Sequence, residues 1–330
     1  MSRRSSILLP VFNGARFLDE QVDSILGQTD GDFELIAVDD GSDDDSAAML
    51  ARHAARDPRV RVLPSAGNLG HPARLAQLFG EARGAFVMIA DQDDIWDTRR
   101  NERLLAAIGD RALAFGRSEL VDAAGTPLGF TLLQSLGLTA DPESRARTLF
   151  RPLASAHGAV MRRDSVDRAI FGHPLPFDWL MSALALFDGG VAYADDAVVR
   201  HRMHGGNQMN SAAPDTARML GALRNRLNFL ARRPAQLRLW LMLDFLGRSR
   251  LDPELRRTFG RLAAATRRTW FGVPAWRLSD TALRKALTEA LRPLAGSDDD
   301  WAAASTAIDD VTRSAAHPAK LAAALRAIRA

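Results

Sequence analysis

Asp91-Gln92-Asp93-Asp94 sets three carboxylates directly behind the apolar run Ala85-Phe86-Val87-Met88-Ile89-Ala90. A buried strand that empties into acids gathers negative charge where an open α/β sheet keeps its ligand crevice. Such charge needs a cation. Hard divalent ions such as Mg²⁺ or Mn²⁺ take oxygen ligands, and Mg²⁺ is usually held by one or two carboxylates plus substrate phosphates. The plainer account makes these acids caps for the next helix, where Asp satisfies free N–H groups and the dipole. A second acidic strand end weighs against it. Phe33-Glu34-Leu35-Ile36-Ala37-Val38 runs into Asp39-Asp40-Gly41-Ser42-Asp43-Asp44-Asp45-Ser46, and two strands ending in carboxylates point to one shared site. If the 91–93 segment is extended, Asp91 and Asp93 lie on one side of it, because alternate residues share a face.

The elements that must position these acids are legible as alternating patterns. Strands are predicted at 6–12, 33–38, 59–63 and 85–90, and helices near 17–27, 45–55, 72–82 and 98–108. That alternation implies βαβ units and a parallel sheet. Residues 112–122 read as a further strand, and Ala123-Ala124-Gly125-Thr126-Pro127 supplies turn chemistry before 128–133. Residues 156–162 read as a strand, 179–187 as a helix, and 191–193 with 197–202 as short strands. From about Thr216 the pattern turns helical, with Leu220, Leu223, Leu227 and Leu230 on one face and Arg218, Arg224, Arg226, Arg232 and Arg233 off it. The run 237–246 is apolar nearly all round but too short to span a bilayer, so it reads as a buried helix or an interfacial one. Trp240, Trp270 and Trp276 fit either role.

In this order, Leu9-Pro10-Val11-Phe12-Asn13, Val38-Asp39-Asp40-Gly41-Ser42, Gly67-Asn68-Leu69-Gly70 and Asp91-Gln92-Asp93-Asp94-Ile95-Trp96 resemble the nucleotide-sugar half of family 2 glycosyltransferases. Phe177-Asp178-Trp179 and Arg202-Met203-His204-Gly205-Gly206-Asn207 resemble the acceptor half of the rhamnosyltransferase-like branch. The resemblance covers roughly residues 5 to 210. It implies an α/β chain of GT-A type with a mostly parallel central sheet, divided into a nucleotide-sugar half (1–110) and an acceptor half (111–210). A smaller, all-helical, basic C-terminal region (211–330) follows. The implied activity is metal-dependent, inverting transfer of a sugar from a UDP- or dTDP-sugar to a glycan or lipid-linked acceptor in surface polysaccharide biosynthesis. The branch alone favours rhamnose-like deoxysugars, and the lack of a Gln-x-x-Arg-Trp segment argues against a processive synthase.

Breaking the bond from an anomeric carbon to a phosphate oxygen builds charge on a diphosphate, which a bridging Mg²⁺ or Mn²⁺ stabilises. Asp93 is the first choice of ligand. The resemblance has Asp91 or Asp94 holding the ribose or a metal-bound water, and spacing does not decide which. It likewise gives Asp39 to the nucleobase or ribose, and Pro10, Phe12 and Asn13 to the base pocket. Asn68, Gly70 and Arg74 stand where the family has a glycine-containing loop and an arginine on the next helix. Arg74 is then either a base or diphosphate contact or a solvated surface arginine; His71-Pro72 and Leu75 depart from the usual pattern. Arg202 belongs with the nucleotide-sugar set. His204 resembles the histidine that closes over the metal or diphosphate, as an Mn²⁺ ligand or, protonated, as a phosphate partner. His157-Gly158 is placed in the sugar or acceptor pocket. Asp178 is the candidate general base that takes the acceptor hydroxyl's proton; the alternative makes it a plain N-cap for a helix starting at Trp179.

Composition bounds the rest. The 330 residues, 47% hydrophobic, suffice for one large domain and a smaller one. With no cysteine there is no disulfide, cysteine-ligated zinc or thiol catalysis. The start carries no signal-peptide core or spanning helix, which makes a cytoplasmic protein the expectation. The net charge of +3 is uneven: residues 1–210 hold 22 bases against 29 acids, and residues 211–330 hold 21 against 11. The basic part suits a phosphate-rich partner, and peripheral contact with the inner membrane is expected rather than nucleic acid. Two other classes stay open. A sugar-1-phosphate nucleotidyltransferase would carry a Gly-rich phosphate loop that Asn13-Gly14-Ala15-Arg16 matches poorly, and a nucleic-acid binder would show salt-sensitive DNA or RNA binding.

Overall fold

The computed structural model describes residues 4–65, 67–136, 140, 145–205, 235–271 and 281–313. They fall into two compact units. The first takes in the described residues of 1–140, 154–172 and 191–223, and the second those of 141–153, 173–190 and 224–330.

The first unit is built on one nine-stranded sheet. Its strands are β1 (Ser5–Val11), β2 (Phe33–Asp39), β3 (Val60–Leu63), β4 (Phe86–Ile89), β5 (Ile95–Trp96), β6 (Leu113–Val121), β7 (Pro127–Thr131), β8 (Ala159–Arg162) and β9 (Val191–Arg202). The order is β3-β2-β1-β4-β8-β6-β9-β5, with β7 on β6. β3, β2, β1 and β4 pair in parallel throughout. β8 runs antiparallel to β4 and β6, whereas β6 and β9 are parallel. β1 is buried along its whole length, as a parallel strand covered on both faces must be, and this explains the apolar run over 7–11 that follows its two serines.

Helices α1 (Ala15–Leu26), α2 (Ser46–Arg56) and α3 (His71–Glu81) make the crossovers, and α4 (Arg100–Ala107) follows β5. α1 buries Phe17, Leu18, Gln21, Val22 and Ile25, a single stripe at helical spacing. Because the chain winds outward from β1 through β2 to β3 and then returns to β4 on the other side, the winding reverses between β1 and β4. Crevices at such a reversal, outside the strands' carboxyl ends, are where open α/β sheets bind ligands.

Four local expectations are corrected. β9 is one continuous strand and not two, with its irregularity taken up by register shifts near Arg117. Residues 156–158 form a turn of 3₁₀ helix before β8. Strand β7 ends at Thr131, whose capping box starts the short helix α5 (Leu132–Ser135). The helix expected from Trp179 begins at Phe177.

The second unit is helical over its described residues: α6 (Arg145–Thr148), α7 (Phe177–Phe187), α8 (Ala235–Arg248), α9 (Pro253–Phe271), α10 (Thr281–Leu291) and α11 (Asp298–Arg313). The apolar 237–246 run lies within α8, where Leu239, Leu241, Met242, Leu243, Phe245 and Leu246 are buried. Within the unit, Trp179 donates its indole N–H to the Thr148 carbonyl at 2.5 Å, and Asp300 accepts from the Ala146 and Arg147 amides. The leucine and arginine faces expected at 218–233 lie outside the described residues, as do Gly206, Asn207 and Trp276. No helix among the described residues is long and apolar enough to cross a membrane.

Candidate active site

The carboxyl ends of β1, β2 and β4 bring three loops together in the first unit. At the end of β1, Asn13 adopts φ of 50°, a left-handed conformation that Asn tolerates better than most residues. Its side-chain oxygen accepts from the Asp43 amide at 2.8 Å, and its own amide donates to Ser42 Oγ at 2.9 Å. Pro10 is buried within β1, and Phe12 is one of two large apolar side chains left exposed among the described residues. Gln92 reaches across from the acidic turn. Its amide accepts from Phe12 N–H at 2.7 Å and donates to Phe12 C=O at 2.9 Å.

Asp39, Asp40 and the 91–94 acids cap no helix, although Asp44 accepts from the Ala15 and Ser46 amides at the starts of α1 and α2. Asp39 folds onto its own turn, accepting from the amides of Gly41 and Ser42 and from Ser42 Oγ at 2.5 Å. α4 starts only at Arg100, well past the 91–94 acids. Asp40, buried, holds the next loop. It accepts from the amides of Leu69 (2.7 Å) and Gly70 (2.9 Å) and pairs with Arg74 Nε at 2.7 Å. These bonds hold its carboxyl below the usual range although burial pulls it upward. Arg74 is 1% exposed and also donates to Ser65 Oγ, Gln77 and the Gly67 carbonyl, so it is no solvated surface arginine. Asn68 lies exposed on the loop so clamped, beside Leu69.

The 91–94 segment turns at Gln92 and Asp93 instead of running extended. The acids therefore do not follow strand alternation: Asp91 groups with Asp94, and Asp93 goes elsewhere. Asp93 Oδ2 lies 2.9 Å from His204 Nε2. Burial lifts the Asp93 carboxyl above its ordinary range, with His204 opposing and the charges of Asp94 and Asp91 reinforcing. Asp94 is fully buried; its Oδ1 takes His201 Nδ1 at 2.8 Å and the Arg202 amide at 3.1 Å. Asp91 Oδ2 lies 3.3 Å from His157 Nδ1. Burial pushes Asp91 upward, but His157, then His201 and His71, outweigh it and leave the carboxyl well below its normal value. Burial also depresses His201, yet the nearby Asp94, Asp91 and Asp93 raise it from 6.5 to about 9.

Arg202, 2% exposed, braces this turn. It donates to the carbonyls of Asp93 and Ala123, both at 2.9 Å, and to Glu20 of α1, while lying over the Phe17 ring at 4.6 Å. His204 packs on the same ring. From the far side Arg100, fully buried, lies 3.6 Å from the Trp96 ring centroid and donates to the carbonyls of His157 (2.8 Å) and Ala159 (3.0 Å).

A divalent cation fits these donors. Asp91, Asp94, His157 and His201 each offer an atom within 4.8 Å of the others, and Asp94 Oδ2 is buried with no hydrogen-bond partner. Leaving such an oxygen unsatisfied costs about 1–3 kcal/mol, and more when it is charged. Carboxylates with imidazoles make a donor set suited to Mn²⁺ or Zn²⁺ as well as to Mg²⁺ through the acids alone.

Asp178 belongs to the second unit. It occupies the first turn of α7, whose N-cap is Pro176, so it is not the cap itself. Sequence reasoning missed Glu20, Phe17, Arg100 and His201 and only guessed at His157. His201, His157, Glu20 and Phe17 lie far along the chain from the acids they serve and meet them only through the tertiary fold, whereas Arg100 stands six residues past Asp94 at the start of α4. A histidine within the last strand before His204 was the one signal available.

Residues 6–169 match the family model described as Glycosyl transferase family 2. The uncharacterized glycosyltransferase EpsJ of Bacillus subtilis is 27% identical over 203 residues, covering 58% of this chain and 53% of that protein. The chain thus spans about half the length of this relative. Among solved structures, Staphylococcus aureus TarS 1–349 in complex with UDP-GlcNAc superposes with a TM-score of 0.56 at 14% identity, over 98% of this chain and 92% of that one. The mannosyltransferase PcManGT of Pyrobaculum calidifontis, in complex with GDP-Man and Mn²⁺, gives 0.51 at 15%, over 94% and 86%. Both likenesses show a shared GT-A fold.

Proposed function

We propose, for a chain whose residues 6–169 belong to glycosyl transferase family 2, that it moves a sugar from a nucleoside diphosphate sugar to a glycan or lipid-linked acceptor, in surface polysaccharide biosynthesis. The observation that carries this reading is the acidic turn at the β1/β4 reversal, where Asp93 Oδ2 faces His204 Nε2 at 2.9 Å. The nucleotide-sugar complexes of TarS and PcManGT support a donor of that class.

On this reading Pro10, Phe12 and Asn13 line the base, Asp39 meets base or ribose, and Asn68 faces the ligand from the loop that Asp40 and Arg74 clamp. Of Asp91 and Asp94, the partly exposed Asp91 serves the ribose or an ion's water shell, while Asp94, fully buried, works from behind the turn. Asp93 and His204 hold a divalent ion, Mg²⁺ or Mn²⁺, which when bound neutralises the charge growing on the diphosphate. Arg74 and Arg202 act on the nucleotide through the loops they hold. The acceptor oxygen attacks the anomeric carbon opposite the leaving group; as the new C–O bond forms, the bond to the phosphate oxygen breaks and Asp178 takes the hydroxyl proton. The configuration inverts. A deoxysugar such as rhamnose, single rather than processive addition, and work at the cytoplasmic face of the membrane through the basic C-terminal region complete the proposal.

A panel of UDP-, dTDP- and GDP-sugars incubated with Mg²⁺ or Mn²⁺ tests it. Release of nucleoside diphosphate from one donor, abolished by chelation, is expected. Pyrophosphate release from a nucleoside triphosphate and a sugar phosphate would replace this reading with a nucleotidyltransferase.

A further inference from the structure

The acidic turn carries more donors than an ion at Asp93 and His204 would use. Behind that pair, His157 Nδ1 stands between two carboxylates, 3.3 Å from Asp91 Oδ2 and 4.0 Å from Asp94 Oδ2. The His157 and His201 rings stack with centroids 4.5 Å apart and planes within 8°. Asp94, His157 and His201 are all more than nine-tenths buried, and Asp94 Oδ2 has no hydrogen-bond partner. The surroundings resemble an outer shell. His157 Nε2 lies 3.0 Å from Ser118 Oγ, and Arg100 fixes the His157 backbone through its carbonyl. Metal-bound imidazoles commonly have a polar partner of this sort on their second nitrogen.

We propose that Asp91, Asp94, His157 and His201 form an inner cation centre, distinct from the ion at Asp93 and His204, that holds a borderline divalent metal of the Zn²⁺ and Mn²⁺ class without any nucleotide. Four protein donors make a closed set, the count of a structural site and not of one that keeps a position open for substrate. Two imidazoles among them favour Zn²⁺ or Mn²⁺ over Mg²⁺, which prefers oxygen and retains its waters. Bonds of about 2.0–2.2 Å require the four donors to draw in from their present spread, and Asp91 is the one partly exposed member of the four. The ion would tie the β4 turn to the residues entering β8 and to the end of β9, three segments that otherwise meet here through hydrogen bonds and the His157–His201 stack.

The test uses the full chain, stripped with a chelator and titrated with ZnCl₂, MnCl₂ or MgCl₂ alone by calorimetry, with metal content measured after desalting. One equivalent of Zn²⁺ or Mn²⁺ per chain is expected with no nucleotide present, with Mg²⁺ weaker. Asp94→Asn, His157→Gln and His201→Gln should each weaken binding about tenfold or more, and Ser118→Ala, which removes only the outer partner, by about tenfold. Asp93→Asn and His204→Gln should leave it intact. Uptake that appears only when UDP is added, or that vanishes in Asp93→Asn, would assign the ion to the nucleotide and overturn the inner centre. So would full affinity in both His157→Gln and Ser118→Ala, two variants that spare the buried acid should Asp94→Asn fail to fold. Nucleotide-free uptake supports the centre whether or not any sugar donor turns over.

Discussion

Charge in the turn is balanced by imidazoles rather than by lysine or arginine ends, which makes its state depend on pH. His201 keeps its proton to about pH 9 in the folded chain against about 6.5 ordinarily. A raised folded value means that stability from this group is complete below about 6.5 and is lost as pH climbs through about 9. Thermal melts of the chelator-treated chain should therefore fall across that window, and His201→Gln should flatten the slope. At Asp178, replacement by Asn should lower kcat by about 10²–10⁴-fold with an unchanged circular dichroism spectrum; undiminished turnover would remove the residue from the role of base. That the 91–94 acids and His204 would come together was legible from types and spacing. Their pairing was not: alternation put Asp91 beside Asp93, whereas the turn at Gln92 sends Asp93 to His204 and leaves Asp91 with Asp94.

Elements dictate that pairing. His201 and Asp94 are 107 positions apart and meet because β5 and β9 pair with Ile95 opposite Arg200, a register that no local pattern announces. The parallel half of the sheet was easier to foresee, since β1, β2 and β4 are mostly apolar with helices of clear periodicity between them. β9 was harder, because Asp195 and Asp196 interrupt its apolar pattern in mid-strand. Two tests belong to this scale. Arg74→Ala leaves Asp40 as a buried charge with its principal partner gone, and loss of about 3–5 kcal/mol in urea unfolding is expected. At Gly84 a Cβ would fall 2.5 Å from the Ser5 carbonyl carbon and 2.6 Å from the Ser6 nitrogen. These are backbone atoms of the central strand, so Gly84→Ala should cost about 1–3 kcal/mol, read as a lowered melting temperature.

For the whole molecule, the residue pattern foretold helices in the C-terminal part. It did not foretell that 141–153 and 173–190 would pack with the C-terminal helices, because those short stretches carry no pattern that distinguishes them from their neighbours. The second unit has its own acid sensitivity. Burial lowers His173 from 6.5 to about 4, with Asp244 opposing, and the ring lies edge-on to Phe245. A depressed value means that stability is present above about 6.5 and drains as pH falls towards about 4, so His173→Phe should melt with less pH dependence there. The excess of arginine over acid beyond residue 210 predicts binding to anionic vesicles that weakens with salt; equal binding to neutral vesicles would dismiss the electrostatic account.

The Gln92 amide has a consequence of its own. The ladder between β1 and β4 ends at the Leu8 and Ile89 pair, and this side chain, bonded to both polar groups of Phe12, acts as one more rung beyond it. The two lips of the crevice are thereby held at a set gap before a guest arrives, so that binding need not be spent on closing them.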